Sequence, residues 1–470
     1  MPSTAPVPRT IALIVAVVMF MAILEGTVIA TALPAMARDF AVDPIDMGVG
    51  ITAYLLVSAM FLPISSWIAE RLGTRRVLAA SIVGFALASL LCGMSPTLEA
   101  FVAARALQAF CASLMVPVGN LVLLRVTPKR DLVQMMAIST TPALIAPVIG
   151  PPIGGFITAT AGWPFIFFIN LPLAAIGVTL VLRLIPDLKA TTPRVFDGKG
   201  FALVAAALAG AVFALDRLGA HPTAWHGPAA IGVAALAIGM VAVRHLRRAS
   251  APLIPLVALR HRTFRSIAFG AGFLMRLPFM GQALLLPLYF QVGFGLSPVV
   301  TGILLLAQNL GDLILKPIAG RALRALGFRV ALTFGTTTMM AAFAGLALLG
   351  PDMSLWTLSG VMLVVGMARS IAFTAMMALS FADVEDAELG GATVINNLAN
   401  ALSAAMGISL AALLLNAARG AGPETLADYR VAILGLAAIG ALAIPLFARL
   451  PRDAGAEVSG HRLRAAPELS

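Results

Sequence analysis

Apolar residues in this chain come in blocks of about twenty, without the period-two alternation of a half-buried strand. Fourteen blocks can be drawn, at roughly 11–33, 48–68, 77–95, 98–124, 133–159, 164–183, 200–217, 228–246, 266–290, 298–318, 330–349, 355–380, 391–416 and 430–448. A helix crosses a bilayer core with about 20 residues. No water satisfies peptide groups in lipid, so each block must close its own hydrogen bonds as a helix. The pattern predicts an all-α, polytopic membrane protein. Hydrophobic residues make up 60% of the chain and charged residues 11%. A soluble domain carries about 25% charged residues, and the mean hydropathy here is +0.98.

Polar joins divide the blocks into six, two and six. The expected organisation is a six-helix bundle over 1–185, linkers with two inserted helices over 186–262, a second six-helix bundle over 263–450 and a polar tail over 451–470. A short echo links the halves. AERLGTRR follows the second block and GRALRALGFR follows the tenth, and each places Arg two residues after Gly (Gly73/Arg75, Gly327/Arg329). With the first block leaving from inside, 24 of the 32 Lys and Arg fall in inner loops and tail and 4 (Arg38, Arg217, Arg419, Arg430) outside. Inner loops carry the basic excess in membrane proteins, so both termini are expected in the cytoplasm.

The net charge of +11 would suggest nucleic acid on a soluble protein. Here the charges sit in short loops, no basic run has tail length, and no aromatic stacking pattern accompanies them, so no nucleic-acid partner is expected. Cys92 and Cys111 lie inside predicted spans and form no disulfide framework. His221, His226, His245, His261 and His461 lie outside the membrane core, which excludes a mid-membrane histidine relay. MPSTAPVPRT carries one Arg, and the block after it holds Glu25 and runs to Pro34, so it reads as a first span and not a cleaved signal. HExxH, GxSxG and GxxxxGK[ST] are absent from the sequence, so neither an enzyme nor ATP-driven transport is expected. No cofactor and no metal site are expected.

Five motifs in order resemble the major facilitator superfamily, and more narrowly its fourteen-helix drug:proton antiporters. Ser66-Trp-Ile-Ala-Glu70-Arg71-Leu-Gly73-Thr-Arg75-Arg76 is similar to G-x-L-A-D-R-x-G-R-R. Arg105-Ala-Leu-Gln108-Ala109 is similar to R-x-x-Q-G, and Gly150-Pro151-Pro152-Ile-Gly154-Gly155 matches the antiporter motif G-P-x-x-G-G. LEGTVIATALP (24–34) resembles L-D-x-T-I-V-N-x-A-L-P, and Trp163-Pro-Phe-Ile-Phe-Phe-Ile-Asn170-Leu-Pro172 resembles W-R-W-I-F-x-I-N-x-P. Glu25 and Glu70 stand where the family has Asp, and Ser66, Ala109 and Ala146 where it has Gly. The resemblance implies two six-helix bundles plus two inserted helices. It also implies a bacterial inner-membrane location, a gating role for Gly150, Pro151, Gly154 and Gly155, and a charge latch at Glu70, Arg71, Gly73, Arg75 and Arg76. Ordinary small-residue packing and basic anchoring are the alternatives for these two groups.

A charge at a helix centre costs about 2.5–3.5 kcal/mol on insertion scales, so intramembrane charges need partners or functions. Glu25 lies 8 residues before Leu33 and Arg105 lies 7 after Leu98. At 1.5 Å per residue both sit about 10–12 Å below the outer surface, level enough to pair. A carboxylate there gains or loses a proton as solvent, substrate or the guanidinium approaches; a static buried pair is the alternative. Asp312 and Lys316 stand four apart on one helix in the favourable order, so Asp312 is a structural partner of Lys316 or a second proton or substrate site. Arg276 and Arg369 have no acid nearby in sequence. With Gln108, Gln282, Gln308, Asn309, Asn396, Asn397 and Asn400 they are candidates to line a cavity or to bond across helices.

The expected function is proton-driven export of amphipathic or cationic small molecules by alternating access. Export of one endogenous metabolite is the alternative. Substrate, protons and lipid are the expected partners of a monomer.

Overall fold

The computed structural model describes residues 8–128, 131–189, 196–220, 224–385, 388–419, 422, 424–451 and 454–455. The basic residues Lys129, Arg130, Arg194, Arg452, Arg462 and Arg464, with His221, His461 and nearly all of the tail, lie outside the described residues.

Among the described residues the chain is helical, with no strand. Thirteen helices are long and apolar enough to cross a membrane. They are α1 (Arg9–Phe40), α2 (Pro44–Ile64), α3 (Thr74–Gly93), α4 (Leu98–Val126), α5 (Gln134–Thr160), α6 (Phe165–Leu184) and α7 (Gly198–Gly219). Then come α8 (His226–Arg248), α9 (Arg262–Gly293), α10 (Pro298–Leu348), α11 (Leu355–Ser380), α12 (Leu389–Arg419) and α13 (Leu426–Ala448). The tenth and eleventh blocks run together as α10, two helices joined at a break, so thirteen helical stretches among the described residues carry the fourteen expected blocks. At 51 residues α10 would be about 76 Å long if straight, over twice the hydrocarbon core. It turns back at Gly327 (φ 73, ψ 167), so it supplies two crossings.

The turn at Gly327 explains the echo between the halves. Gly73, its counterpart after α2, also has positive φ (100). A side chain at either position would clash with its own backbone, and glycine alone adopts such angles freely. Each half therefore reverses direction at the same step by the same device.

The halves repeat their packing as well. α1 lies along α5, and α9 lies along α12; α3 packs on α4 and α6, while α13 packs on α9 and on α10. The halves meet where α5 crosses α10 and where α2 crosses α12. The inserted helices α7 and α8 pair with each other, and α7 rests on both α2 and α12. The outer face of α8 stays bare: Val233, Leu236 and Met240 are about two-thirds exposed. Such residues need lipid around them.

Pro34 marks the next irregularity. It has no N–H for the carbonyl four residues earlier, and α1 tightens to a 3-10 turn over Ile29–Ala32 before resuming at Leu33. This turn lies four residues beyond Glu25.

Gly73→Ala and Gly327→Ala should each destabilise the protein by about 1–3 kcal/mol. Gly360→Ala, where nothing lies within 4 Å of the added carbon, should be neutral or stabilising. Thermal melts of the three purified variants read this directly; equal melting of all three would refute the assignment of the turns.

Candidate functional site

Two guanidinium–carboxylate pairs lie inside the membrane, one in each half. In the first half Arg105 of α4 reaches Glu25 of α1. Its Nη1 donates to Glu25 Oε1 at 2.7 Å and to Gln108 Oε1 at 2.6 Å. Asn170 of α6 donates to the second carboxylate oxygen of Glu25 at 2.5 Å. Gln108 donates in turn to Ser89 of α3 at 2.8 Å. The Arg105 guanidinium lies 4.4 Å from the Tyr54 ring centre on α2. Glu25 is 3% exposed and Arg105 1%. Five helices thus converge on one charge pair. Arg105 Nε and Asn170 Oδ1 have no partner among the described residues.

In the second half the partner of Asp312 is Arg369, at 2.7 Å, and not Lys316. The expected i,i+4 pair does not form because α11 comes closer. A Cβ on Gly311 would strike the Leu363 carbonyl, and one on Gly366 would strike that of Gln308. With both positions bare, α10 and α11 touch backbone to backbone and the guanidinium reaches the acid. The Phe279 ring centre lies 4.6 Å from the Arg369 guanidinium. Among the described residues no carboxylate is within ion-pair distance of Lys316.

The second pair opens on a cavity of about 370 Å³ bounded by α1, α5, α9, α10 and α11. Gly26, Thr27, Pro147 and Pro151 line one side, and Phe279, Gln282, Gln308, Asn309, Asp312, Lys316 and Arg369 the other. Gln308 donates to Gln282 at 2.8 Å, so these two amides brace each other across α9 and α10. Glu25 does not line the cavity, although the next two residues do.

The GPxxGG motif joins the cavity to α1. A Cβ on Gly150 would meet Thr27, and one on Gly154 would meet Val28 and Thr31. A Cβ on Gly155 would meet the backbone of Pro298 and Val299 on α10. The glycines let α5 lie against the 3-10 turn of α1 on one face and α10 on another. Pro151 adds a second effect. Lacking an N–H, it leaves the Pro147 carbonyl without its helical donor. Asn309 of α10 supplies one at 2.8 Å, and its own oxygen accepts a long 3.4 Å bond from Arg369. A proline in one half is thereby tied to the charge pair of the other.

Two contacts across the halves, Asp43–Arg419 and Gln291–Thr31, lie at the end where α1 meets α2, among bonds within the second half. Arg419 of α12 pairs with Asp43 at 2.5 Å and with Glu424 at 3.4 Å. Tyr429 donates to Glu424, and Gln291 donates to the Thr31 carbonyl at 2.9 Å. Burial raises the Glu424 carboxyl above its ordinary range despite the Tyr429 bond. The basic loop at the other end holds elements of its own half. Glu70 pairs with Arg125 at 3.4 Å, Arg76 with Asp187 at 3.5 Å, and Arg71 lies over Trp67. Thr74 exchanges backbone and side-chain hydrogen bonds with Pro186 and Leu188, and Arg75 is half-buried.

Arg276 sits apart from the cavity. It is fully buried, donates to Asn396 at 3.1 Å and to the Ile267 carbonyl at 3.4 Å. The helix breaks at Gly270, beside that carbonyl, so Arg276 acts as a cap inside α9. Asn397 and Asn400 are half-buried and outside the cavity lining. Asn170, Ser89, Tyr54 and the Asp43–Arg419 pair were not singled out from sequence as site residues. Asn170 carried a signal, being a polar residue in a quoted motif at the start of an apolar block. Ser89 and Tyr54 carried none, since both types are common in membrane helices.

The sequence profile of the Major Facilitator Superfamily matches residues 15–267 and again 268–468. The provisionally named multidrug resistance protein MdtD of Escherichia fergusonii is 34% identical over 456 residues, covering 94% of each chain. A POT family transporter solved with 5-aminolevulinic acid superposes with a TM-score of 0.66 at 13% identity, over 93% of this chain and 94% of that one. A D-xylose–proton symporter superposes at 0.64 and 13% identity, over 95% and 98%. Two profile matches in tandem, with whole-length similarity to that multidrug resistance protein and the shared helical fold, establish that this chain belongs to the Major Facilitator Superfamily.

Proposed function

We propose that this protein is a secondary active exporter of amphipathic small molecules, driven by exchange for protons and working as a monomer in a bacterial inner membrane. The basic end of the molecule faces the cytoplasm on this reading, in keeping with the 24 to 4 bias of Lys and Arg. The two six-helix halves rock about the α5–α10 and α2–α12 contacts. On this reading the Asp43–Arg419 bond ties the halves together at the outer end, and substrate enters the cavity from the cytoplasmic side past Lys316.

The observation that carries the reading is the Glu25–Arg105 pair, sealed from the cavity yet adjacent to its wall. A proton on Glu25 removes the charge that holds Arg105. The change falls on α1 four residues before the 3-10 turn against which Gly154 rests. Substrate occupies the cavity beside Asp312, Gln282 and Gln308. Proton and substrate then use separate sites joined by α1 and α5. In the proposed cycle the outward-facing protein takes a proton on Glu25 and opens inward. Substrate binds as the proton leaves, and the loaded protein returns outward.

A second reading concerns substrate charge, and Lys316 favours it. Asp312 is committed to Arg369, so the cavity retains one uncompensated cation. Amphiphiles with an acidic group fit that field better than cations do, which also suits an endogenous acidic metabolite.

Glu25→Gln keeps one acceptor oxygen, for Arg105, and its new amide N–H can donate to Asn170 once that side chain flips to present its oxygen, so it should fold and still exchange substrate down its gradient. Accumulation driven by an imposed pH gradient in liposomes should fall at least tenfold; undiminished driven transport removes Glu25 from coupling. Arg419→Ala should loosen the closed end and raise labelling of a cysteine placed at Ile45 several-fold. Unchanged labelling would mean that the Asp43–Arg419 pair holds nothing shut. In competition assays a carboxylated amphiphile should outcompete its quaternary-ammonium analogue, and Lys316→Gln should erase the difference. Equal preference for the cation in the native protein would overturn the charge assignment.

A further inference from the structure

A second cavity, of about 600 Å³, lies in the linker between α8 and α9 at the basic end of the molecule. Arg247 enters it from the last turn of α8, Arg260 from a 3-10 turn over Val257–Arg260, and Arg265 from the first turn of α9. All three are exposed, and none forms an ion pair among the described residues. The remaining lining is apolar, including Leu246, Pro252 and Leu256, and no carboxylate contributes to it. Of the acids on adjoining segments, two are engaged elsewhere, and Asp383 and Glu385 are exposed without lining the hollow. Asp197 accepts from His245 at 2.8 Å and from the Gly200 and Leu253 backbone. Glu388 is bonded to His261 at 2.7 Å. Three guanidinium groups therefore border a hollow whose lining, among the described residues, holds no carboxylate.

A second observation says what fills it. The bare face of α8 runs through Val233, Leu236, Met240 and Val243, with exposures of 67%, 69%, 69% and 40%. Spacings of three, four and three place them in one stripe, and four further residues lead to Arg247. The stripe from Val233 to Arg247 is about 21 Å long, enough to span one leaflet of a hydrocarbon core about 30 Å thick. An apolar track that ends in a basic hollow at the membrane surface is the shape of a lipid: acyl chains along the helix, headgroup at its foot.

We propose that the α8–α9 linker binds the phosphodiester headgroup of an anionic phospholipid, with its acyl chains on the exposed stripe of α8. Guanidinium forks suit phosphate oxygens, and anionic lipids enrich the surface where basic loops lie. A zwitterionic lipid offers the same phosphate but brings its own cation to a site that already has three. The bound lipid pins the α7–α8 hairpin, and α7 rests on α2 and α12, where the halves meet. This inference stands on the linker geometry and not on proton coupling.

The test uses the full chain purified in detergent, with native mass spectrometry and thermal melting against added lipid. Phosphatidylglycerol should be retained and raise the melting temperature, and phosphatidylcholine should not. Arg260→Gln should weaken retention about fivefold, and the triple change Arg247→Gln, Arg260→Gln, Arg265→Gln by about a hundredfold. Arg183→Gln, exposed at the same end but outside the hollow, should leave retention unchanged. Equal retention of phosphatidylcholine, or of phosphatidylglycerol by Arg260→Gln and the triple variant, overturns the proposal. Inorganic phosphate alone reproducing the shift would identify a soluble-anion site and overturn it equally.

Discussion

Lipid offers no hydrogen bonds, and the Glu25–Arg105 pair is the place where this constraint weighs most. Two charges in the middle of a membrane protein must be solvated by the protein itself. Here Gln108, Asn170, Ser89 and the Tyr54 face take the place of water. Removing one member of a buried pair typically costs about 3–5 kcal/mol, because the other remains charged. The pair therefore fixes how α1, α2, α3, α4 and α6 stand around it. A change in the proton count at Glu25 is felt by all five.

The second constraint is the missing N–H of proline. Within α5 it leaves a carbonyl that α10 satisfies through Asn309, and within α1 it leaves a 3-10 turn on which the α5 glycines rest. The motif that marks α5 thus acts through what it lacks. Without side chains the glycines admit neighbouring backbones, and without N–H groups the prolines free acceptors for another helix. Both effects fall between the two charge pairs, along the line that joins the sealed site to the open cavity.

How far the sequence could be read follows from the range of each interaction. The helices were legible because hydrophobic blocks are a local property, and positive-φ turns at Gly73 and Gly327 were legible as a repeated phrase. The shortness of the join between the tenth and eleventh blocks was not, since a basic stretch such as GRALRALGFR serves equally as loop or helix until Gly327 breaks it. Asp312 was read with Lys316 because the helix supplies that neighbour at i+4. Its actual partner lies 57 residues on, brought close by Gly311 and Gly366. Arg276 was open to lining a cavity or to bonding across helices, and it does the second, with Asn396. Its role depends on a helix break at Gly270 that no periodicity announces. Glu25 and Arg105 could be matched by depth alone, but Asn170 entered only when α6 was folded against them.

On the proposed proton exchange, one difference between the two charge pairs gives them different work. Glu25 is sealed at 3% exposure, while the side chain of Asp312 is 21% exposed and faces the cavity. An acid in contact with the cavity senses whatever enters it, because any ligand competes with water and with Arg369 for the carboxylate. A sealed acid cannot be reached in the same way; it exchanges a proton only when its wall moves. Coupling requires that the two events exclude each other. An arrangement with one open pair, one closed pair and a glycine–proline contact between them meets that requirement without placing substrate and proton on the same carboxylate. On the same reading the residual positive charge at Lys316, which lines the cavity while Glu25 does not, acts on the substrate.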